Sequence, residues 1–444
     1  MIPRGAIALA VLFLASTHTT SQEPHAVLKH AVTAVREHID KDYSYLEGLY
    51  KHLHTHPEVS YQEEKTALRL ANEMRELGFT VVEKVGGHGI VCVLKNGVGP
   101  TVMVRTDMDA LPLTERTGLP YASKARIRDA EGREVGVMHA CGHDGHMTCW
   151  VGTARVLAAM KDRWQGTLVF IGQPAEERGG GAKAMLEDGL FTRFPKPDFA
   201  LALHCDASAP HGSIGFTEGM ALANVDSVDI TVRGKGGHGS APHTTVDPIV
   251  LAARIVLDLQ TLVSREVDPT DAAVVTVGSI HGGTKHNIIP SEVRMQLTVR
   301  TFKDATRKHV LEGIERIAKA AAMGARAPAP LVQVDPGEFT PAMHNDVTLT
   351  RRTAAAFRAV LGEDKVRPQP PVMGGEDFSR YGLAGVPIFM FRLGTIPGEQ
   401  IVEVQRGGRP LPSLHSDLFY PIPEPTIKTG VLAMSAAVLN LMGK

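Results

Sequence analysis

A short segment of this chain concentrates side chains that bind divalent metals. It reads His139-Ala-Cys-Gly-His-Asp-Gly-His146, and two adjacent carboxylates follow downstream at Glu176 and Glu177. Thiolate, imidazole and carboxylate together suit a borderline-soft divalent ion, and a carboxylate that does not bind the ion is free to move a proton. The pattern therefore predicts a metal-dependent hydrolase.

The spacing of these residues is compatible with that chemistry. Cys141 and His143 lie two residues apart, so a loop can direct both at one centre. A bound metal lowers the pKa of water towards ~7, and a free carboxylate such as Glu176 can remove the proton as the water attacks a carbonyl. Taken singly, adjacent glutamates are typical of a solvated surface, and Cys-Gly-His is typical of a tight turn. Their joint occurrence favours the functional interpretation.

The elements that must position these residues read as an α/β fold. Asp107 and Asp109 follow one predicted strand, Glu176 and Glu177 follow another, and His204 closes a third. Open α/β sheets bind their ligands at the carboxyl ends of the strands, so these side chains are expected at one edge. The predicted strands cover residues 90–94, 101–105, 167–172 and 200–203, with a helix over 147–160.

A second unit is predicted within the first. From about Val225 the pattern changes to period-two alternation, and the order becomes β-α-β-β-α-β, which fits a ferredoxin-like sandwich. We therefore predict a doubly wound catalytic domain over residues 23–222 and 336–444. A smaller α+β domain is inserted at 223–335.

Composition and the N-terminus constrain the setting. The formal net charge is −1, which gives no electrostatic case for nucleic acid or an anionic membrane. Residues 1–22 read as a signal peptide, because an apolar run too short to span a bilayer follows Arg4. The mature protein is predicted to be exported, periplasmic or secreted, and not membrane-bound. Metal binding explains Cys141 better than a disulfide does, and pairing among Cys92, Cys149 and Cys205 stays open.

The motifs resemble those of the metal-dependent amidohydrolase branch of the M20 peptidase family. That branch includes hippurate hydrolases, N-acyl-amino-acid amidohydrolases and plant indoleacetyl-amino-acid hydrolases, and the resemblance covers nearly the whole mature chain. The matching segments, beyond the His139–His146 cluster, are 53–58 with Glu63, Glu64 and Thr66, then 105–112, 173–177, 203–204, 236–243, 287–290, 374–378 and 414–416.

The resemblance implies a dinuclear site and names its residues. Glu176 would be the general base that assists attack by a water bridging the metals, and Cys141 would bridge where other branches carry an aspartate. Arg105 stands where those branches place a ligating histidine, so Asp107 is expected to orient an imidazole rather than to bind metal. Zinc is favoured over manganese, cobalt or nickel. The implied ligands of the two divalent ions are Cys141, His143, Glu177, His204 and His415.

Residues of the inserted domain would complete the site. The resemblance implies that the inserted domain is a lid or dimerisation domain. It also implies that His238 stabilises the oxyanion, often from the other subunit of a homodimer formed through this lid. Asn287 and Arg300 would hold the α-carboxylate of the substrate, for which a guanidinium fork is suited. A routine surface ion pair is the competing interpretation of Arg300.

The expected reaction is hydrolysis of the amide bond of an N-acyl amino acid, a small molecule, to a carboxylic acid and a free amino acid. A dipeptidase or carboxypeptidase on the same scaffold is the nearest alternative. A thiol hydrolase with Cys141 as nucleophile and His143 as base would leave Glu177, His204 and His415 unexplained. A non-catalytic protein that binds acyl-amino acids is disfavoured because Glu176 is present beside the ligands.

Overall fold

The computed structural model describes residues 24–129 and 132–444, so the predicted signal peptide lies outside the described residues. The described chain alternates helices and strands. The strands are β1 (Thr80–Glu83), β2 (Ile90–Asn96), β3 (Thr101–Asp107), β4 (Arg126–Arg128), β5 (Glu134–Gly136), β6 (Gly166–Gln173), β7 (Phe199–Pro210), β8 (Ile214–Phe216), β9 (Gly219–Leu222), β10 (Asn224–Arg233), β11 (Gly237–His238), β12 (Ala273–Gly282), β13 (Ile288–Ile289), β14 (Glu292–Thr301), β15 (Leu331–Val334), β16 (Met343–Asn345), β17 (Val366–Pro368) and β18 (Ile388–Ile396). The helices are α1 (Pro24–Thr55), α2 (Glu64–Glu76), α3 (His143–Ala159), α4 (Gly181–Glu187), α5 (Leu190–Arg193), α6 (Pro248–Thr261), α7 (Asp304–Gly324), α8 (Val347–Leu361), α9 (Ser379–Leu383), α10 (Gly398–Gln405) and α11 (Pro423–Met442).

The main sheet has eight strands in the order β1-β2-β6-β3-β7-β18-β8-β17. Its four central strands, β6, β3, β7 and β18, are parallel, whereas β1 and β2 at one edge and the β18–β8 pair run antiparallel. Separate apolar cores lie on its two faces. The predicted α/β class is confirmed, and the sheet is mixed rather than largely parallel, because β2 returns antiparallel to β6.

The final helix, α11, is buried almost throughout its length. It packs against α1, α3 and α8 on one face of the main sheet. Its apolar composition would suffice to cross a membrane, and 89% of the apolar window lies inside the protein. A helix that is apolar on all sides is expected where neighbouring helices surround it.

The second sheet has the order β12-β14-β10-β15 and is antiparallel throughout. With α6 and α7 it follows the β-α-β-β-α-β order predicted from the sequence, and its apolar side chains form their own core. The order and pairing are those of a ferredoxin-like sandwich. The exact boundaries of the inserted domain stay a prediction.

Two elements near the predicted site differ from expectation. The strand that carries His204 does not end there but continues as β7 to Pro210. The helix predicted from residue 147 begins at His143, because Gly142 adopts φ +84 and turns the chain directly into α3. A Cβ at Gly142 would lie 2.9 Å from Cys205 Sγ, so glycine is required by space as well as by backbone angle.

Candidate metal centre and active site

The structure brings the five sequence-predicted ligands to one place. Cys141 and His143 lie at the start of α3, Glu177 follows β6, and His204 lies within β7. His415 comes from the loop before α11, where its backbone N–H donates to the Ala140 carbonyl at 2.8 Å. Residues far apart in sequence therefore meet at one place, although of the five only Glu177 follows the end of a strand, as the sequence pattern predicts.

Cys141 occupies the centre of the ligand set. Its Sγ lies within 4.8 Å of ligand atoms of His143 and His204, and also of Glu177 and His415. The side chain is 6% exposed. A thiolate shared by two groups of ligands has the position needed to bridge two ions.

Hydrogen bonds fix the tautomers of two of the histidines. His143 Nδ1 donates to the Asp109 carbonyl at 2.7 Å, and His204 Nδ1 donates to the Cys205 carbonyl at 2.8 Å. In the neutral form of each ring the lone pair is therefore on Nε2, and His204 Nε2 lies 3.5 Å from Cys141 Sγ. Metal-binding imidazoles are commonly oriented in this way through the nitrogen that does not bind the ion.

Two buried polar atoms in the cluster have no hydrogen-bond partner among the described residues: His143 Nε2 and Glu177 Oε1. They lie 3.8 Å apart, and Glu177 Oε1 is 3.3 Å from His415 Nε2. Buried polar atoms without partners are costly. Burial opposes protonation of His143, but Asp107, Asp109 and Glu177 outweigh it and raise its pKa to about 10. Surroundings that favour a proton also favour a cation, so these residues fit divalent metal.

Asp109 and Glu63 accept hydrogen bonds from the loop that carries Glu176 and Glu177. The Asp109 carboxylate accepts the backbone N–H groups of Glu176 and Glu177, at 3.2 and 3.0 Å, and the Ser60 hydroxyl at 2.6 Å. Glu63 Oε1 accepts the N–H of Ala175, which adopts φ +47. A non-glycine residue in this region stores strain that the surrounding contacts must offset. Asp109 thus anchors the loop, a role that its place after a predicted strand did not indicate.

Glu176 lies beside several buried charged side chains. One carboxylate oxygen each from Glu176, Glu376 and Asp377 lie within 4.8 Å of one another. Buried Arg105 donates to Glu376 at 2.9 Å and to Asp107 at 2.7 Å. Burial raises the pKa of Glu176 well above its usual range, and Glu376, Glu177 and Asp377 add to the rise, while Arg105 opposes it. A carboxyl with a raised pKa is suited to accept and return a proton near neutral pH.

Asp107 accepts a hydrogen bond from an imidazole that is not among those predicted to bind metal. His146 Nδ1 donates to Asp107 Oδ1 at 2.7 Å, and His146 Nε2 accepts the Cys205 N–H at 2.8 Å. Burial lowers the pKa of His146 to about 4, which keeps the ring neutral as this pairing requires. Asp107 Oδ2 also lies 3.8 Å from His143 Nε2. Asp107 therefore joins Arg105 to two neighbouring histidines.

A cavity of about 520 Å³ opens directly onto the cluster. Its lining includes Cys141, Glu176, Glu177, His204 and His415. Arg300 of β14 also lines it, donating to the Met373 carbonyl at 3.2 Å without an ion-pair partner among the described residues. The surface ion pair considered for Arg300 is thus not observed.

His238 and Asn287 do not line this cavity. They lie beside each other on the inserted domain, where the Gly239 N–H donates to the Asn287 carbonyl at 2.8 Å, and both are exposed. Within one chain, Asn287 therefore does not line the cavity together with Arg300, with which it was expected to act.

His415 and the cysteines complete the site. The His415 side chain is 54% exposed and its backbone adopts φ +64, a strained conformation for histidine.

All four cysteines are buried and free, so no pair among them is bridged. Cys141 pairs with His204 rather than with His143, and burial raises the pKa of its thiol. The alternative of a thiol hydrolase assumed His143 as the base and needs a thiol whose pKa is lowered, and neither condition is met.

Sequence reasoning gave no role to several residues around the site. Glu63, Glu376 and Asp377 were noticed only as parts of matching motifs, although each contacts the Glu176 loop or its neighbours. Arg392 was not noticed at all. Its signal is an arginine in β18, a strand of otherwise mostly apolar residues.

Comparison with known proteins agrees with this geometry. Residues 103–404 match the family model described as Peptidase family M20/M25/M40. The chain is 38% identical over 331 residues to hippurate hydrolase of Campylobacter jejuni, covering 73% of this chain and 82% of that protein. It is 36% identical over 345 residues to N-acetylcysteine deacetylase of Bacillus subtilis, covering 77% and 86%. A solved structure, the YXEP protein of Bacillus subtilis, described as a dinuclear metal binding peptidase from the M20 family, matches with a TM-score of 0.71 and 30% identity, covering 90% and 99%.

The fold and the clustered ligands define an enzyme of the metal-dependent hydrolase class. The chain belongs to the M20 peptidase family and is an amidohydrolase of that family. The resemblance inferred from its motifs is thereby confirmed.

Proposed function

We propose that this enzyme hydrolyses the amide bond of N-acyl amino acids with two divalent metal ions bound at the cluster. The observation that carries the proposal is the convergence of one thiol, three imidazoles and Glu177 in one cluster that borders the cavity, with Glu176 left beside them. The names of the two relatives, a hippurate hydrolase and an N-acetylcysteine deacetylase, support the substrate class.

The proposed ligands are Cys141, His143, Glu177, His204 and His415. Bound ions would polarise the amide carbonyl and make water acidic enough to ionise near neutral pH. The choice among zinc, manganese, cobalt and nickel is open to this donor set, although the thiol and imidazoles favour zinc.

Glu176 would carry the proton. Its carboxylate removes a proton from the water as the water oxygen attacks the amide carbonyl carbon. When the carbon–nitrogen bond breaks, the same carboxyl returns the proton to the leaving nitrogen, which departs as the free amine. The pKa of Glu176 is raised by burial, Glu376 and Asp377 and lowered by Arg105. Its backbone N–H donates to Asp109, which fixes the position of the backbone.

His238 would complete the site from a second copy of the chain. Its Nδ1 accepts the Ser240 N–H at 3.1 Å, so the ring proton lies on Nε2, where it can be donated to a substrate oxygen. Ile288, which is exposed, lies opposite His238 in the β11–β13 pair. Further exposed apolar side chains on the inserted domain would suit a subunit interface; they include Ile249, Val250, Leu257 and Ile280.

Activity is expected to depend on metal. The metal-free protein should be inactive, and adding zinc, manganese, cobalt or nickel should restore hydrolysis with about two ions bound per chain. The measurement is a hydrolysis screen over N-acetyl, N-benzoyl and indoleacetyl amino acids and dipeptides, with metal analysis of the same samples. Full activity without metal would contradict the mechanism. Hydrolysis of dipeptides alone would favour the peptidase alternative, and no turnover of any substrate would favour a binding protein.

Mixing two inactive variants should test the shared site. His238→Ala and Glu176→Gln should each be inactive as homodimers, whereas a mixed dimer contains one site with both residues intact. Random exchange of subunits should therefore restore about a quarter of wild-type activity. The measurement is turnover after co-refolding or co-expression. No recovery, with mixed dimers verified, would show that each site is completed within one chain.

A further inference from the structure

Arg392 is a charged residue of the cavity that the proposed mechanism does not use. It lies on β18, opposite His204 of β7 in the parallel register, and lines the cavity beside the metal cluster. Its Nη2 atom is buried and has no hydrogen-bond partner among the described residues.

The neighbouring Asp206 does not form an ion pair with Arg392. Asp206 accepts the Ser208 N–H and hydroxyl, at 2.9 and 2.6 Å, and the Gln369 amide at 2.9 Å. No carboxylate of the described residues lies within ion-pair distance of Arg392, and Gln369 Oε1 is also buried without a partner. Arg392 is half-buried, and a buried guanidinium nitrogen without a partner is unfavourable, whereas the planar fork of the group fits a carboxylate.

The cavity thus contains two arginines below the surface, Arg300 and Arg392, neither of which has an ion-pair partner among the described residues. They border different ends of the ligand cluster. Arg300 contacts the Met373 carbonyl and lies against Gly375, next to Glu376 and therefore near Glu176. Arg392 borders the His204 end.

We propose that Arg392 binds a second carboxylate on the acyl group, so that the enzyme prefers N-acyl amino acids whose acyl group is derived from a dicarboxylic acid. The inference rests on the proposed amide hydrolysis. The α-carboxylate and the amino-acid side chain branch from the same carbon, on the nitrogen side of the amide. With the α-carboxylate at Arg300, a group that reaches the opposite end of the cluster belongs to the acyl side.

The test compares acyl groups that differ only in their terminal carboxylate. On glycine as the amino acid, the pairs are succinyl against butanoyl and glutaryl against pentanoyl. The wild type should favour the better-fitting diacid by at least about tenfold in kcat/KM. Arg392→Met and Arg392→Gln should reduce this ratio to near one, and Arg392→Lys should retain part of it. Arg178→Met, which changes an exposed arginine of the same cavity, should keep the wild-type ratio.

Three outcomes would overturn the proposal. One is equal turnover of charged and neutral acyl groups by the wild type. A second is an unchanged ratio in both Arg392→Met and Arg392→Gln. The third is an Arg392-dependent preference for N-acetylglutamate over N-acetylglutamine, which would place the second carboxylate on the amino-acid side.

A binding measurement separates this proposal from the proposed function. Succinate or glutarate should raise the melting temperature of the metal-loaded protein more than butyrate or pentanoate do, and Arg392→Met should remove the difference. If no amide is hydrolysed while this difference is observed, amide hydrolysis fails and the carboxylate subsite stands. If amides are hydrolysed without it, the subsite fails alone.

Discussion

Replacing Glu176 by glutamine is expected to reduce kcat by about 10²–10⁴-fold while leaving the metal content unchanged. Glutamine keeps the size and polarity of the side chain but cannot accept a proton. The proposed ligands remain, and the backbone of residue 176 is still held by Asp109. The measurements are kcat with an N-acyl amino acid and the number of metal ions per chain.

A matched control is available in the same cavity. Glu338 lines it but is exposed, so Glu338→Gln removes one negative charge without touching the cluster. We expect that variant to retain kcat within severalfold. If Glu176→Gln instead lost metal, Glu176 would be a ligand, as its proximity to His143 and Glu177 permits. Near-wild-type turnover would show that another group acts as base.

Replacing Cys141 by alanine is expected to have the largest effect on metal binding. Because its thiol is shared by two groups of ligands, its removal should weaken both positions. We expect metal affinity to fall by more than the 10–100-fold that is usual for residues that only orient ligands. Activity should be restored only at high metal concentration, if at all. The measurement is a metal titration of the metal-free protein, followed by activity and by the number of ions bound.

Two further variants make the Cys141 experiment specific. Cys141→Asp should bind metal better than Cys141→Ala, because a carboxylate can also bridge two ions. Cys149→Ala removes another buried, free cysteine outside the cluster, and it should reduce stability by about 1 kcal/mol while leaving metal content unchanged. Wild-type metal affinity in Cys141→Ala would show that the thiol is not a ligand.

The sequence predicted the parts of the site that depend on local pattern. Short apolar runs followed by Asp107 and by Glu176 marked strand ends, and the edge of a parallel sheet brings such ends together. The motif resemblance then added His415, which no strand pattern indicates. These inferences succeed because the hydrophobic period and the chain order of an α/β fold are encoded locally.

The remaining features depend on strand order and on side chains that meet from distant segments. Arg105 and Glu376 are paired across a sequence separation of 271 residues, which no local pattern reveals. The role of Asp109 depends on its contact with the loop that follows β6. Arg392 is left without an ion-pair partner among the described residues because Asp206 accepts hydrogen bonds from other groups. That His143 begins a helix follows from the backbone angle of Gly142, which the sequence only permits.

The burial of α11 against α1 has a consequence for synthesis of the protein. Helices α1 and α11 pack together, so the core of the larger domain cannot close until residues 423–442 have been translated. The sheet of residues 224–334 has its own core and can form while the C-terminal segment is still being made. His415, which lies just before α11, is therefore among the last ligands to reach the cluster.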